Sequence, residues 1–249
     1  MASATLQQAP EAPEKVNPFA RIVGVIFSPK ATFQSIVRRP DWLVPIILLC
    51  IAECAVVGVY GQHVGWRSML EKQLSNNEQF QQLKPDAQQE RINTVMPWVS
   101  KIAYVEVIVG PFVAAFLFAG IFWLIFNMGA GAKIEYRMCL AIVSYSLVPT
   151  VLGSLLGVLI IFLKDPSTID LQHLVASNAG ALMSSDSPKA LVAALRAVDL
   201  FLFWEMFLLA IGFGAAAPKK LSTGSAFAYI FGLWVFVVLC TAGITAAVS

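Results

Sequence analysis

The chain has 249 residues, of which 58% are hydrophobic and only 13% charged, with a formal net charge of +2. A soluble domain carries about 25% charged and about 45–50% apolar residues, so this composition excludes an ordinary water-soluble enzyme and points to an all-α, polytopic helical bundle in lipid. A balance so near neutrality also speaks against a nucleic-acid partner.

Residues 1–17, MASATLQQAPEAPEKVN, contain no apolar core segment. They do not read as a cleavable signal peptide, and their Ala/Pro/Glu/Gln composition predicts a disordered tail. Residues 18–249 then form a single membrane domain, whose first span serves as the uncleaved targeting signal. Ser28-Pro29 is a helix start, with Pro at the first helical position. Phe33, Ile36 and Val37 share a face of the helix that follows, and Arg38 and Arg39 precede the stop at Pro40. This N-terminal amphipathic helix is expected either in the lipid headgroup layer or packed on the end of the bundle, with Arg38 and Arg39 as candidate membrane-surface contacts.

A spanning helix needs about 20 mainly apolar residues. Five segments qualify, at about 42–60, 105–128, 139–163, 198–217 and 226–247. Between the first two lies a polar insert in which Ser75 and Glu78 form an S-x-x-E capping box and Pro85-Asp86 starts a second short helix. This predicts an extramembrane helical hairpin. Between the third and fourth spans lies a second helical insert. There Ser187-Pro188 signals a helix start, and the pattern runs on into the fourth span as one long rod. The two remaining loops are short. Arg38, Arg39, Lys133, Arg137, Lys219 and Lys220 all lie beside span ends on one side, which places the N-terminus and both short loops in the cytoplasm.

Acids inside apolar runs are the candidate site residues, because an ionised carboxylate at mid-depth costs roughly 2.5–3.5 kcal/mol on insertion scales. Glu53 sits in the middle of the first span and Glu205 in the fourth. Together with Tyr145 and the kink at Pro149 they form a candidate internal polar site. Asp199 lies near a span end, three residues after Arg196, and an interfacial ion pair between the two is expected. Both acids of the fourth span fall on stripes that contain small residues. Gly153 and Gly157 make a G-x-x-x-G face. Such small-residue faces point to close helix packing and to homo- or hetero-oligomers.

Cys50, Cys54, Cys139 and Cys240 lie in apolar runs and signal no disulfide framework. Cys50, Cys54 and His63 do not make a convincing metal site. No P-loop, G-x-S-x-G or H-E-x-x-H motif is present. Neither a cofactor nor a metal is predicted.

Three stretches, "NPFARIVGVIFSPKATFQSIVRRPDWLVPIILL", "GAKIEYRMCLAIVSYSLVPTVLGSLLG" and "DLFLFWEMFLLAIGFGAAAPKKLSTGSAFAYIFGLW", resemble the Yip family of Ypt/Rab-interacting multi-spanning membrane proteins, in particular its bacterial branch. Arg39, Pro40, Trp42 and Pro45 carry the resemblance at the first span, Tyr145 and Pro149 at the third, and Asp199, Phe201 and Trp204 at the fourth. The resemblance implies five helices, a cytoplasmic N-terminus, a bacterial inner membrane and no known catalysis. In eukaryotic members it implies Rab-type GTPases and other Yip proteins as partners. This chain lacks their long acidic, aromatic-containing tail, which speaks against Rab binding. The expected function is non-enzymatic, through helix packing, partner binding and membrane organisation. The alternative is a small transporter, channel or lipid-moving protein built around the internal polar site.

Overall fold

A polar side chain and two prolines set the first two helices. In the computed structural model, which describes residues 17–75, 77–169, 174–183 and 187–248, helix α1 spans Pro18–Phe27 and α2 spans Pro29–Arg38. The Asn17 side chain accepts from the Phe19 amide at 2.9 Å and caps α1, and Pro18 occupies its first turn. The chain leaves helical geometry at Ser28, because Pro29 has no amide hydrogen to continue the ladder. Ser28 holds the cap position of α2, but its hydroxyl makes no capping bond. Gly24 lets the two helices approach closely, since a Cβ there would stand 2.4 Å from the Thr32 hydroxyl. The sequence reading did not anticipate α1. The expected tail, except Asn17, lies outside the described residues.

Helix α3, Leu43–Tyr60, is the first span. It passes through a π-helical turn, Gly61–Gly65, into α4, Trp66–Ser75. Ser75 therefore ends a helix, and its hydroxyl bonds the Lys72 carbonyl at 2.8 Å. The cap of the next short helix, α5 (Glu78–Gln81), is Asn77, whose Oδ1 accepts from the Gln79 and Phe80 amides at 3.0 and 3.2 Å. The expected Ser75 capping box is thus replaced by an Asn cap. Pro85 does start a helix, but α6 is not short. It runs without interruption from Pro85 to Leu124, through Pro97 and Pro111, and contains the second span. The first insert is thus a helical hairpin, as expected, whose two arms, α4 and the start of α6, extend the spanning helices.

A loop closes at Asn127, whose side chain accepts from the Ile134 amide (2.7 Å) and donates to its carbonyl (2.9 Å). The third span divides into α7, Tyr136–Ser146, and α8, Val148–Leu163. The break falls at Leu147, two residues before Pro149, as a proline without an amide hydrogen requires. Every residue of α7 from Cys139 to Ser146 is buried, which makes α7 the axis of the bundle.

Helix α9, Lys189–Arg196, does not continue into the fourth span. The chain turns at residues 197–199, pairs Asn178 with Asp199 as an isolated bridge, and restarts as α10, Leu200–Ala216. The expected single rod is broken because Asp199 offers a better cap than a helical position. Helix α11, Thr223–Val248, closes the chain.

Among the described residues, four helical stretches are long and apolar enough to cross a membrane: Leu43–Ser75, Pro85–Gly129, Tyr136–Leu163 and Thr223–Ala247. α10, with 17 residues, is at the short limit of about 17 for a span. The architecture is a helical membrane bundle. Its main core joins Phe33 and Ile36 of α2 to Phe122 and Phe126, Ile142 and Tyr145, and Met206 and Phe213. Gly212 is the contact point for α2, since a Cβ there would lie 2.5 Å from Ile142 Cγ2 and 3.0 Å from the Phe33 ring. α2 therefore buries its apolar face on the bundle.

Candidate functional site

Helix α8 gathers the two mid-span acids. Ser154 donates from its hydroxyl to Glu53 Oε1 at 2.7 Å, and Thr150 donates to Glu205 Oε1. Thr150 and Ser154 are four residues apart, so they share a face of α8. The proline break at Leu147 starts a new helix just before them and sets the direction of that face. Glu53 and Glu205 are brought to one face of α8 by the Ser154 and Thr150 hydroxyls.

Both acids line a cavity of about 360 Å³ together with Asp199, Gly153, Gly157, Phe201, and Leu174, Ser177 and Asn178 of the second insert. The G-x-x-x-G face packs within the chain, Gly153 on α10 and Gly157 on a non-helical stretch of the second insert. A Cβ at Gly153 would meet the Phe201 ring at 3.5 Å, and one at Gly157 would meet Leu174 at 2.9 Å. Glu205 also lines a second hollow of about 280 Å³, walled by Phe118 and Phe122, Val143, Leu209, and Ile230 and Trp234. This second hollow is almost wholly apolar. Glu205 thus stands in the wall between a polar cavity and an apolar one.

Asp199 is not paired with Arg196. Its Oδ1 accepts from the Phe201 and Leu202 amides at 2.8 and 3.0 Å, and its Oδ2 accepts from the Ser177 hydroxyl. An N-cap acid that also satisfies the helix dipole is better placed here than in a bridge to a flexible arginine. The Arg196 stem packs instead over Gly180, where a Cβ would be 2.5 Å from Arg196 Cγ. The Ala179 amide to Val198 carbonyl and Leu200 amide to Ser177 carbonyl bonds, both 3.0 Å, pin the insert to the start of α10.

Tyr145 does not reach the acid cavity. Its hydroxyl donates to Asp41 Oδ2 at 2.7 Å. Asp41 is ion-paired with Arg21, which is 5% exposed against 33% for Asp41. Arg21 also donates to the carbonyls of Arg39 and Ser35, each at 2.9 Å, and to the Ser35 hydroxyl at 3.3 Å. This second polar cluster ties α1, α2, the start of α3 and α7 into one knot. Arg21 shares the inward face of α1 with Ile22 and Val25, and a lone cation on such a face was the sequence signal for it. Arg38 and Arg39 are exposed at the end of α2. Cys50 hydrogen-bonds the Ile108 carbonyl at 3.4 Å, and His63 packs edge-on against Phe162.

The Yip1 domain family matches this chain over residues 23–244. The chain belongs to the Yip1 family. Membrane protein YknW of Bacillus subtilis is similar to it, with 28% identity over 191 residues, or 77% of this chain and 76% of that protein. No solved structure matches it. In this Yip1 domain the residues that carried the resemblance are packing devices. Trp42 meets Phe116 edge-on at 5.4 Å, the Arg39 carbonyl holds Arg21, Tyr145 holds Asp41, Pro149 follows the break in the third span, and Asp199 caps α10.

Proposed function

We propose that this Yip1-family protein is non-enzymatic and works by lateral helix packing, with a second copy or with another integral membrane protein, thereby organising the membrane around it. The observation that carries this reading is α11. Only 6% of its most apolar window is buried. A Cβ added at Gly232 or at Gly243 would meet nothing within 4 Å, and at 100° per residue the two glycines lie about 20° apart on one face. Phe236 and Leu239, 63% and 66% exposed, fall on the same face. Small residues flanked by large ones allow a partner helix to approach closely. The N-terminus and the two short loops face the cytoplasm of a bacterial cell membrane in this reading, supported by the basic residues at that end.

Single cysteines at 232 and 243, in a chain without Cys240, are expected to form disulfide-linked products under mild oxidation in native membranes, while a cysteine on the opposite face at 234 is not. Uniformly monomeric chain at all these positions, with no cross-link to another membrane protein either, would remove the reading.

A second reading is favoured by one observation, the shared cavity of Glu53, Asp199 and Glu205. Three carboxyl groups around one opening suit a small cation or a cationic headgroup, which makes the protein a transporter, channel or lipid-moving device. In that case proteoliposomes of the purified chain dissipate a gradient of monovalent or organic cations, and Glu53→Gln with Glu205→Gln abolishes the flux. Liposomes that stay tight with the unmodified chain rule this reading out.

A further inference from the structure

We infer that α1 is a half-depth membrane wedge, with Phe19, Val23 and Phe27 inserted among the acyl chains of the leaflet on the short-loop side. The three side chains lie at i, i+4 and i+8, on one face of the helix. They are 64%, 57% and 79% exposed, while Arg21, Ile22 and Val25 on the other face are buried. A ten-residue helix is about 15 Å long and cannot cross a bilayer.

Depth is set by neighbours. The Trp42–Phe116 contact fixes where the first span begins beside α6. Beyond Phe116 the second span continues to Gly129, about 20 Å further along the helix axis. Exposed apolar residues line that whole extension, among them Leu117, Phe118, Leu124 and Met128. The lipid-facing belt therefore reaches well past the start of α3. The α1–α2 pair fills the bundle on that side, with Phe33 against Gly212 and Ile142 and with Arg21 bound to Asp41 at the mouth of α3. In this inference the exposed edge of α1, which packs on α2, α3, α7 and α8, continues the apolar belt of the spans.

Charge supports the same occupant. α2 has no acid, and Lys30 and Arg38 on it, with Arg39 at its end, are exposed. Cations of this kind beside an apolar edge suit anionic headgroups above acyl chains. The one cation on the inward side of α1, Arg21, is neutralised by Asp41, so the helix carries no free charge into lipid. The inference rests on the membrane placement of the bundle and is independent of how α11 packs.

The test uses the purified full-length chain in vesicles containing anionic lipid, at a high lipid-to-protein ratio, with the four native cysteines replaced. Single cysteines replace Phe19, Val23 and Phe27, and, as water-exposed references, Lys30, Gln34 and Arg38. All six positions are open on the isolated protein, so any difference in reaction with a membrane-impermeant maleimide reports the bilayer. We expect positions 19, 23 and 27 to react at least about tenfold more slowly than 30, 34 and 38, because the reacting thiolate and the impermeant reagent both require water. If the cysteine-free chain does not fold, the same positions are compared with only Cys54 and Cys240 replaced, because Cys50 and Cys139 are buried. Equal rates at all six positions would place α1 in water and overturn the inference. Protection that appears only as protein density rises would also overturn it, by identifying a second copy as the cover.

Discussion

Replacing Arg21 with methionine is expected to release the α1–α2 pair from the bundle and to lower stability in detergent or lipid by about 3 kcal/mol. The guanidinium is 5% exposed and its donors serve Asp41, Ser35 and Arg39 together. Breaking a buried pair by removing one partner typically costs about 3–5 kcal/mol, because the remaining charge is left uncompensated. Asp41 is one-third exposed, so water recovers part of that loss and the lower end of the range applies. Asp41→Asn should cost less, since the amide oxygen still accepts from Arg21 and the new NH2 group can donate to the Tyr145 hydroxyl oxygen. The double variant Arg21→Met with Asp41→Leu should recover part of the stability, because no orphan charge remains. Thermal unfolding followed by tryptophan fluorescence measures the loss, and limited proteolysis after residue 17 or near Ser28 reports the release. An Arg21→Met chain that melts and resists protease like the parent would show that the knot does not hold α1.

Thr150→Val should destabilise by roughly 1–3 kcal/mol, the usual cost of stripping the donor from a polar group away from water. The volume and β-branched shape are kept, so the effect isolates the hydroxyl that serves Glu205. The pair Thr150→Val with Glu205→Leu should then restore most of the loss, since both polar partners are gone and Leu209, Met206 and Leu202 offer an apolar surround. Chemical or thermal denaturation of the three variants closes this cycle. A double variant no better than Thr150→Val would mean that Glu205 has a stabilising role of its own in the cavity wall. Ser154→Ala tests the parallel contact to Glu53 in the same way.

Much of the architecture was legible in the residues. Apolar length identified the spans at 42–60 and 226–247, and α3 and α11 cover them. The prolines at 29, 85 and 149 each marked a helix start or break, because a missing amide hydrogen is tolerated best in a first turn, whereas α6 runs on through Pro97 and Pro111. The Gly153–Gly157 face and the inward orientation of most of α10 also followed from spacing, since Met206, Ala210 and Gly212 are buried. Helix boundaries in the inserts were less legible. Ser75 and Glu78 satisfied a capping pattern, but Asn77 was the stronger competitor within the same turn. The pattern from Ser187-Pro188 into the fourth span at about 198–217 read as one rod, and Asp199 interrupted it by capping and by pairing with Asn178.

What sequence alone determined was the solvent, the helical class, the family resemblance and which acids lie deep in apolar runs. These depend on composition and on neighbours along the chain. The pairing of each polar group was decided by tertiary structure. Tyr145 looked like a companion of Glu205, since both lie deep in spans. The two belong to different clusters because Tyr145 is on α7, before the break at Leu147, and Thr150 is on α8, after it. Arg21 and Asp41 are twenty residues apart and meet only because α1 and α2 fold back on the start of α3. A buried charge or hydroxyl takes whatever complementary group packing brings within about 3 Å, and no local pattern of residues encodes that distance.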